Sequence, residues 1–426
     1  RRFRFRLRKD VRFHDGRRLT SRDVRYSFER LLQNPENPLR AILFPIQGVK
    51  ELINGQATEL KGFRILSASE FVIDLGQPIS FFPALVSHPV SAIVPEGARR
   101  FDVSWREGCV GTGPFRAVRF EPGQRLELEA NPDYWRPGYP KSEGLVFSFG
   151  VPPKEILSGF RAGRFSLAGD LFPSDVEMLR HEPEFASCYS ETPKLSTYYV
   201  AFNIHQPPFS EENLRHQFVQ AINVETLVRR NLGRLAVPAH SLIPPGLLGY
   251  EAGSRSAVAT SERSRQKFEV TALIHSLFDG AYSSLAKNLF QTLQENGFHV
   301  NVAPAKAEEI LPVISAKFDF VLSRWNGDYP DPDTFLDGVA QTKDGSAGSF
   351  CGTPELDQLI EKGRQETHPQ LRHDIYQQAE KLIRKQALLL PLFHEQEYRF
   401  ARPEVQDFEV TFAIQAVPYE NLSLRR

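Results

Sequence analysis

Three carboxylates crowd one short stretch of the 426-residue chain: Asp328, Asp331 and Asp333, within Trp325-Asn326-Gly327-Asp328-Tyr329-Pro330-Asp331-Pro332-Asp333. A ligand ammonium that leaves water for a closed site needs a carboxylate partner, because an unpaired buried charge is very costly. Asp328, just behind Trp325 and Asn326, is the candidate receiver, and a turn cap is its alternative role. Asp331 and Asp333 stand at turn-forming proline positions and read as backbone-capping residues.

Other chemistry is harder to find. His14-Asp15-Gly16 could suggest acid–base work, but this tripeptide is more often a plain turn. Gly111-Thr112-Gly113 lacks the Lys-Ser/Thr of a phosphate loop, and no helix pattern follows it. His394-Glu395 has no second histidine four residues on, and GxSxG, HExxH and the Rossmann glycines are all missing. Cys109, Cys188 and Cys351 are scattered, so a disulfide scaffold or cysteine zinc site is not expected, although one pairing stays open. The expectation is a protein that is not an enzyme, with no metal and no cofactor.

Composition narrows the class further. Lys plus Arg equals Asp plus Glu at 52 each, which argues against a dedicated nucleic-acid binder. Arg2, Arg4, Arg6, Arg8 and Arg12 alternate with Phe3, Phe5, Leu7, Val11 and Phe13, the period of a half-buried strand. The arginine row is an anion-binding stripe or a solvated face, and the charge balance favours the face. No run of 18 apolar residues is present.

The elements that position these groups follow from periodicity. A helix should start near Thr20, with Asp23 completing a capping box and Val24, Phe28 and Leu31 on its apolar side. Residues 115–120 and 125–130 read as a hairpin around Glu121-Pro122-Gly123-Gln124. From about residue 204, helices marked by Leu214, Phe218 and Ile222, by Leu285, Leu289 and Leu293, and by Leu371, Ile375, Ala379 and Leu382 alternate with apolar strands. That is α/β grammar. Residues 253–264, rich in Ser, Arg and Ala, read as an exposed loop.

Five segments together resemble the family 5 extracellular solute-binding proteins, the oligopeptide- and dipeptide-binding components of ABC importers. They are Phe3 to Gly16 with Leu19 to Val24; Gly111-Thr-Gly-Pro-Phe115 with Asn131-Pro-Asp-Tyr-Trp135; Tyr199-Val-Ala-Phe-Asn203 with Pro207-Pro208-Phe209; Trp325 to Phe335; and the late helix running into Leu390-Pro-Leu-Phe-His394. Each is a weak signal alone. Their order and their span of nearly the whole chain make the resemblance strong.

The resemblance implies an α/β, bilobal periplasmic-binding-protein class II fold with an extra domain in lobe 1. Domain II would cover 1–110, domain I 111–203 completed by 400–426, and domain III, lobe 2, 204–399. Lobes would hinge near 203 and 400 and close over the ligand. It also implies that Asp328 receives a peptide's α-ammonium, with Trp325, Asn326, Tyr199 and His240 beside it. Ordinary packing is the alternative for Trp325, Tyr199 and His240. The implied partners are a peptide or small-molecule ligand and an ABC permease, with no nucleic acid through this region and a monomeric protein that is periplasmic or extracytoplasmic, either free or anchored to the membrane as a lipoprotein. The family's opening strands are not seen ahead of Arg1, so either the chain is truncated or something different precedes it. A second reading follows: a ligand-sensing module joined to a DNA-binding or kinase segment. Ligand length and side chains stay open at this level.

Overall fold

The computed structural model describes residues 1–99, 104–253, 267–304, 317–412 and 415–425. The chain forms two compact units, Arg1–Glu191 with Tyr398–Arg426, and Thr192–Glu397.

In the first unit, strand β1 (Arg2–Arg6) turns Phe3 and Phe5 inward and leaves its arginines exposed. The strand is shorter than the alternation suggested, because Asp10 adopts a left-handed conformation at φ 60° and turns the chain. Val11 and Phe13 are still buried. Helix α1 (Ser21–Leu32) opens on the expected capping box, with the Asp23 carboxylate accepting the Thr20 N–H at 2.8 Å. Strands β2 (Phe63–Ser67) and β3 (Glu70–Asp74) complete a sheet in the order β1-β3-β2. Its register sets Arg2 opposite Asp74 and Arg6 opposite Glu70, and Glu70 accepts from Arg4 at 2.6 Å and Arg6 at 2.8 Å. These arginines are thus answered by carboxylates of the neighbouring strand, which makes the row a solvated, self-neutralised face. The hairpin β4 (Phe115–Glu121) and β5 (Arg125–Ala130) pairs as expected, and β6 (Gly144–Ser148) adds a third strand.

The second unit is a mixed sheet covered on both faces. Its elements are β7 (Ser196–Phe202), α2 (Glu212–Ala221), α3 (Val224–Leu232), β8 (Ala236–Pro238), β9 (Phe268–Ile274), α4 (Ser283–Glu295), β10 (Phe298–Pro304), β11 (Phe320–Asn326), α5 (Asp333–Ala340), α6 (Pro354–Gln365), α7 (Pro369–Lys385) and β12 (Leu389–Ala401). Strand order is β8-β12-β7-β11-β9-β10, and β9 runs parallel to both β10 and β11. Beyond residue 397, β12 continues in the first unit, where Phe400 pairs with Ala168.

Every residue of β7 is buried. One face carries Tyr198, Val200 and Phe202 into a core shared with Phe218 of α2, Leu289 of α4 and Phe320 of β11. The other carries Thr197 toward Leu242 and Tyr199 toward Ser346, in the segment that follows α5. A strand enclosed on both sides is fixed in register, because a one-residue slip would exchange the two sets of side chains. The expected exposed loop at 253–264 lies, from residue 254 on, outside the described residues.

Candidate functional site

Parallel strands bring their carboxyl ends to one side, and in α/β sheets that side holds ligands. Trp325 and Asn326 are the last residues of β11. Antiparallel pairing sets them opposite Thr197 and Ser196, the first residues of β7. Gly327 then donates its N–H to the Leu195 carbonyl at 2.7 Å. A side chain at 327 would meet the Phe335 ring at 2.9 Å, so the exit from the strand needs glycine. Thr334 Oγ1 accepts the Asp328 N–H at 3.1 Å and the Trp325 indole N–H at 3.4 Å. The indole also packs on Gly338, where an added Cβ would lie 2.5 Å from the ring.

The Asp328 side chain itself is half-buried, and no described residue gives its carboxyl a hydrogen bond or ion pair. Burial alone pushes its pKa up from the ordinary carboxylate value. Asn326, beside it, is exposed.

Asp331 and Asp333 do more than cap. Asp331 accepts the Asp333 N–H at 3.0 Å, the turn-closing bond expected of it. Both its oxygens are also held by Arg372 of α7, at 2.7 Å each. Asp333 caps no backbone group among the described residues. It accepts the Tyr329 hydroxyl at 2.8 Å and lies 3.3 Å from Arg364 Nε of α6. Burial drives the Asp333 carboxyl up to about 7, against the pull of Arg364.

Tyr199 shares the sheet face of Trp325, opposite Ser323. Its ring is 1% exposed and its hydroxyl lies 3.3 Å from Ser346 Oγ, so it supports the layer beneath Trp325. Burial raises its pKa to about 12. His240, two residues past β8, is half-buried and lines a different space, a cavity of about 500 Å³ with Tyr250, Glu251, Gln377 and Arg384. Thr197 ties the two regions together. Its hydroxyl donates to the Leu242 carbonyl at 2.8 Å while it sits two residues from Tyr199 and opposite Trp325.

Two features of the strand ends were not read from the sequence. Arg324, opposite Tyr198 in β11, is half-buried, and no described residue hydrogen-bonds or ion-pairs with it. Burial, and then its charge, lowers the pKa of His275, the residue that follows β9. A cation directly before Trp325, past the apolar run Phe320-Val321-Leu322, was the available signal. Glu395 of β12 forms the second feature: it accepts the Tyr282 hydroxyl and lies 3.3 Å from Lys194 Nζ. The three cysteines are free thiols.

The model of the bacterial extracellular solute-binding proteins, family 5 Middle, matches residues 1–347. The probable di/tripeptide-binding protein 5 of Pseudomonas aeruginosa (strain UCBPP-PA14) is 28% identical over 96% of this chain and 81% of that protein. The periplasmic oligopeptide-binding protein OppA of Salmonella typhimurium is 23% identical, over 94% of this chain and 78% of its own length. Among solved structures, the clavulanic acid biosynthesis oligopeptide binding protein 2 superposes with a TM-score of 0.88 at 20% identity, covering 100% of this chain and 84% of the other. That likeness establishes an α/β fold of the periplasmic-binding-protein class II type.

Proposed function

The chain belongs to the family 5 bacterial extracellular solute-binding proteins, and from that premise we propose that it is a peptide receptor of an ABC importer. It captures a short peptide by its charged ends, closes over it and hands it to a permease. It works as a periplasmic, monomeric binding protein, without catalysis and without nucleic acid. Domains I and II would make up the lobe of 1–203 with 400–426, and domain III the other.

The observation that carries this reading is the pair of unanswered charges at one end of the sheet. Among the described residues, the half-buried Asp328 carboxyl meets no cation and the half-buried Arg324 guanidinium meets no anion. A zwitterionic peptide would answer both charges, its ammonium at Asp328 and its carboxylate at Arg324, by passing around the end of β11, because Arg324 lies on the Tyr198 face of that strand and Trp325 on the Tyr199 face. Trp325 and Asn326 would border the ligand and Tyr199 would back them from below, while His240 would take part only with a ligand long enough to reach the separate cavity it lines. The relatives named as di/tripeptide- and oligopeptide-binding proteins support the same substrate class.

Calorimetry with tri-alanine and N-acetyl-tri-alanine tests it. The free peptide should bind at least about a hundredfold more tightly, given roughly 3–5 kcal/mol for leaving one member of a buried charge pair alone. Equal affinity for the two would remove Asp328 from the site.

A further inference from the structure

The turn that carries Asp328 is held by arginines from two helices distant in sequence. Arg372 of α7 is 5% exposed and its guanidinium grips Asp331, itself 7% exposed, through two bonds of 2.7 Å. Its Nε donates to the Gly363 carbonyl of α6 at 3.0 Å, and Nη2 donates to the Tyr376 hydroxyl at 2.7 Å. The same side chain therefore ties the turn to α6 and α7 together. Arg364 of α6 stands 3.3 Å from Asp333 and donates to Asp337 at 2.8 Å, while Asp333 accepts from Tyr329, the residue next to Asp328. Upstream, Gly327 is pinned to Leu195, and the Asp328 N–H to Thr334.

The pattern is selective. Of the three carboxylates in 327–333, two are taken by arginines and the third, Asp328, meets no cation among the described residues although its backbone is fixed on both sides. We infer that Arg372 is a positioning residue for ligand capture: its two-pronged hold on Asp331 fixes the turn so that the Asp328 carboxylate stays pre-aimed and unpaired for an incoming ammonium. The inference rests on the reading of Asp328 as the ammonium receiver. A planar fork is what the task requires, because lysine supplies the same charge from a single point without the geometry. Fixing the carboxylate beforehand removes an ordering cost that the ligand would otherwise bear on binding.

Arg372→Lys keeps the charge and makes the test, with Asp331→Glu as a second variant and thermal melting as the check on folding. Tri-alanine should bind Arg372→Lys roughly tenfold to a hundredfold more weakly, the scale of a site misplaced by about 1 Å. N-acetyl-tri-alanine should bind variant and wild type alike, since it has no ammonium to lose. An equal loss for both peptides, or no loss, overturns the inference.

A ligand-free arm separates this inference from the reading beneath it. The Asp328 carboxyl, followed by carbon-13 NMR, should titrate above the ordinary aspartate value in the wild type, because burial raises it there. In Arg372→Lys, and in Asp331→Glu, it should fall back toward that value as the turn loosens. An unchanged titration in both variants overturns the positioning role. If the wild type binds free and acetylated peptide equally, the ammonium reading fails, and this arm alone still decides whether Arg372 sets the place of Asp328.

Discussion

Thr197 Oγ1 and His394 Nδ1 lie 3.0 Å apart in the interior of the second unit, between the Trp325 strand and the His240 loop. Thr197 spends its proton on the Leu242 carbonyl, so Nδ1 of His394 must carry the hydrogen, shared with the Ser196 carbonyl at 3.2 Å. That fixes the tautomer and leaves Nε2 buried without a hydrogen-bond partner among the described residues. The ring is 0% exposed, and burial holds its pKa down at about 3.

Opposed pH slopes follow from this histidine and Glu380. His394 is neutral in the native state from about pH 3 to 6.5, whereas the unfolded chain takes up a proton there. Its contribution therefore rises with pH across that window, by at most about 1.4 kcal/mol per pH unit. Glu380, 0% exposed and accepting from the Ile243 N–H at 3.0 Å, is pushed by burial from 4.5 to about 7. The native state holds its proton longer, so stability falls as pH rises from 4.5 to 7. Urea unfolding at a series of pH values should show His394→Gln losing stability faster than wild type between pH 4.5 and 6.5. Glu380→Gln should depart in the opposite direction. Parallel curves for all three proteins would refute both assignments.

Gly338→Ala should disturb Trp325 without touching any polar group. The new methyl would stand 2.5 Å from the indole, closer than packed carbons tolerate, and α5 cannot yield without moving Thr334. Overpacking of this kind costs about 1–3 kcal/mol. In a Trp105→Phe/Trp135→Phe background, Trp325 emission should shift to the red and tri-alanine affinity should fall. An unshifted spectrum would mean the ring does not rest on Gly338.

Phe218→Ala tests the opposite face of the sheet. Phe218 is 0% exposed and its ring lies 5.0 Å from Phe202 and 5.3 Å from Phe320. Truncation should cost about 3–5 kcal/mol of stability, because the rings around the cavity belong to strands that cannot close on it. The denaturation midpoint should drop while peptide affinity, measured well below the melting range, stays near that of the wild type.

Periodicity made much of this molecule legible beforehand. The Thr20/Asp23 cap, the hairpin at 115–130 and the helices through Leu214, Leu285 and Leu371 depend on neighbours within a few turns, and local spacing records those. The strand of Arg2–Arg6 ended early because a single left-handed residue, Asp10, carries no strong signal in an aspartate. The short turn with Asp328 was visible as a cluster of carboxylates, but not its wiring. Arg372 lies 41 residues beyond Asp331, and only the packing of α6 against α7 selects it from the chain's many arginines. Tyr199 shows the same limit: its spacing places it on a sheet face, whereas enclosure by Ser346 and α5 makes that face an interior.

Arg324 provides the sharpest test of the charge-pair reading. A half-buried guanidinium with no anion among the described residues is a poor use of a cation, since it bears part of the desolvation cost and gains no bond. A ligand carboxylate would supply that bond in charge-assisted, two-pronged form, worth about 1.5–3 kcal/mol. Arg324→Gln leaves a shorter, neutral side chain that still carries amide N–H donors, and it removes the charge and the fork. Tri-alanine should bind this variant roughly tenfold to a hundredfold more weakly than wild type. Tri-alanine amide, which lacks the carboxylate, should bind wild type and variant alike, and weakly. High salt should narrow the gap only slightly, because screening reaches a half-buried pair poorly. If the amide loses as much as the free acid on mutation, Arg324 acts through the fold and not through the ligand. If neither loses, the carboxylate is received elsewhere.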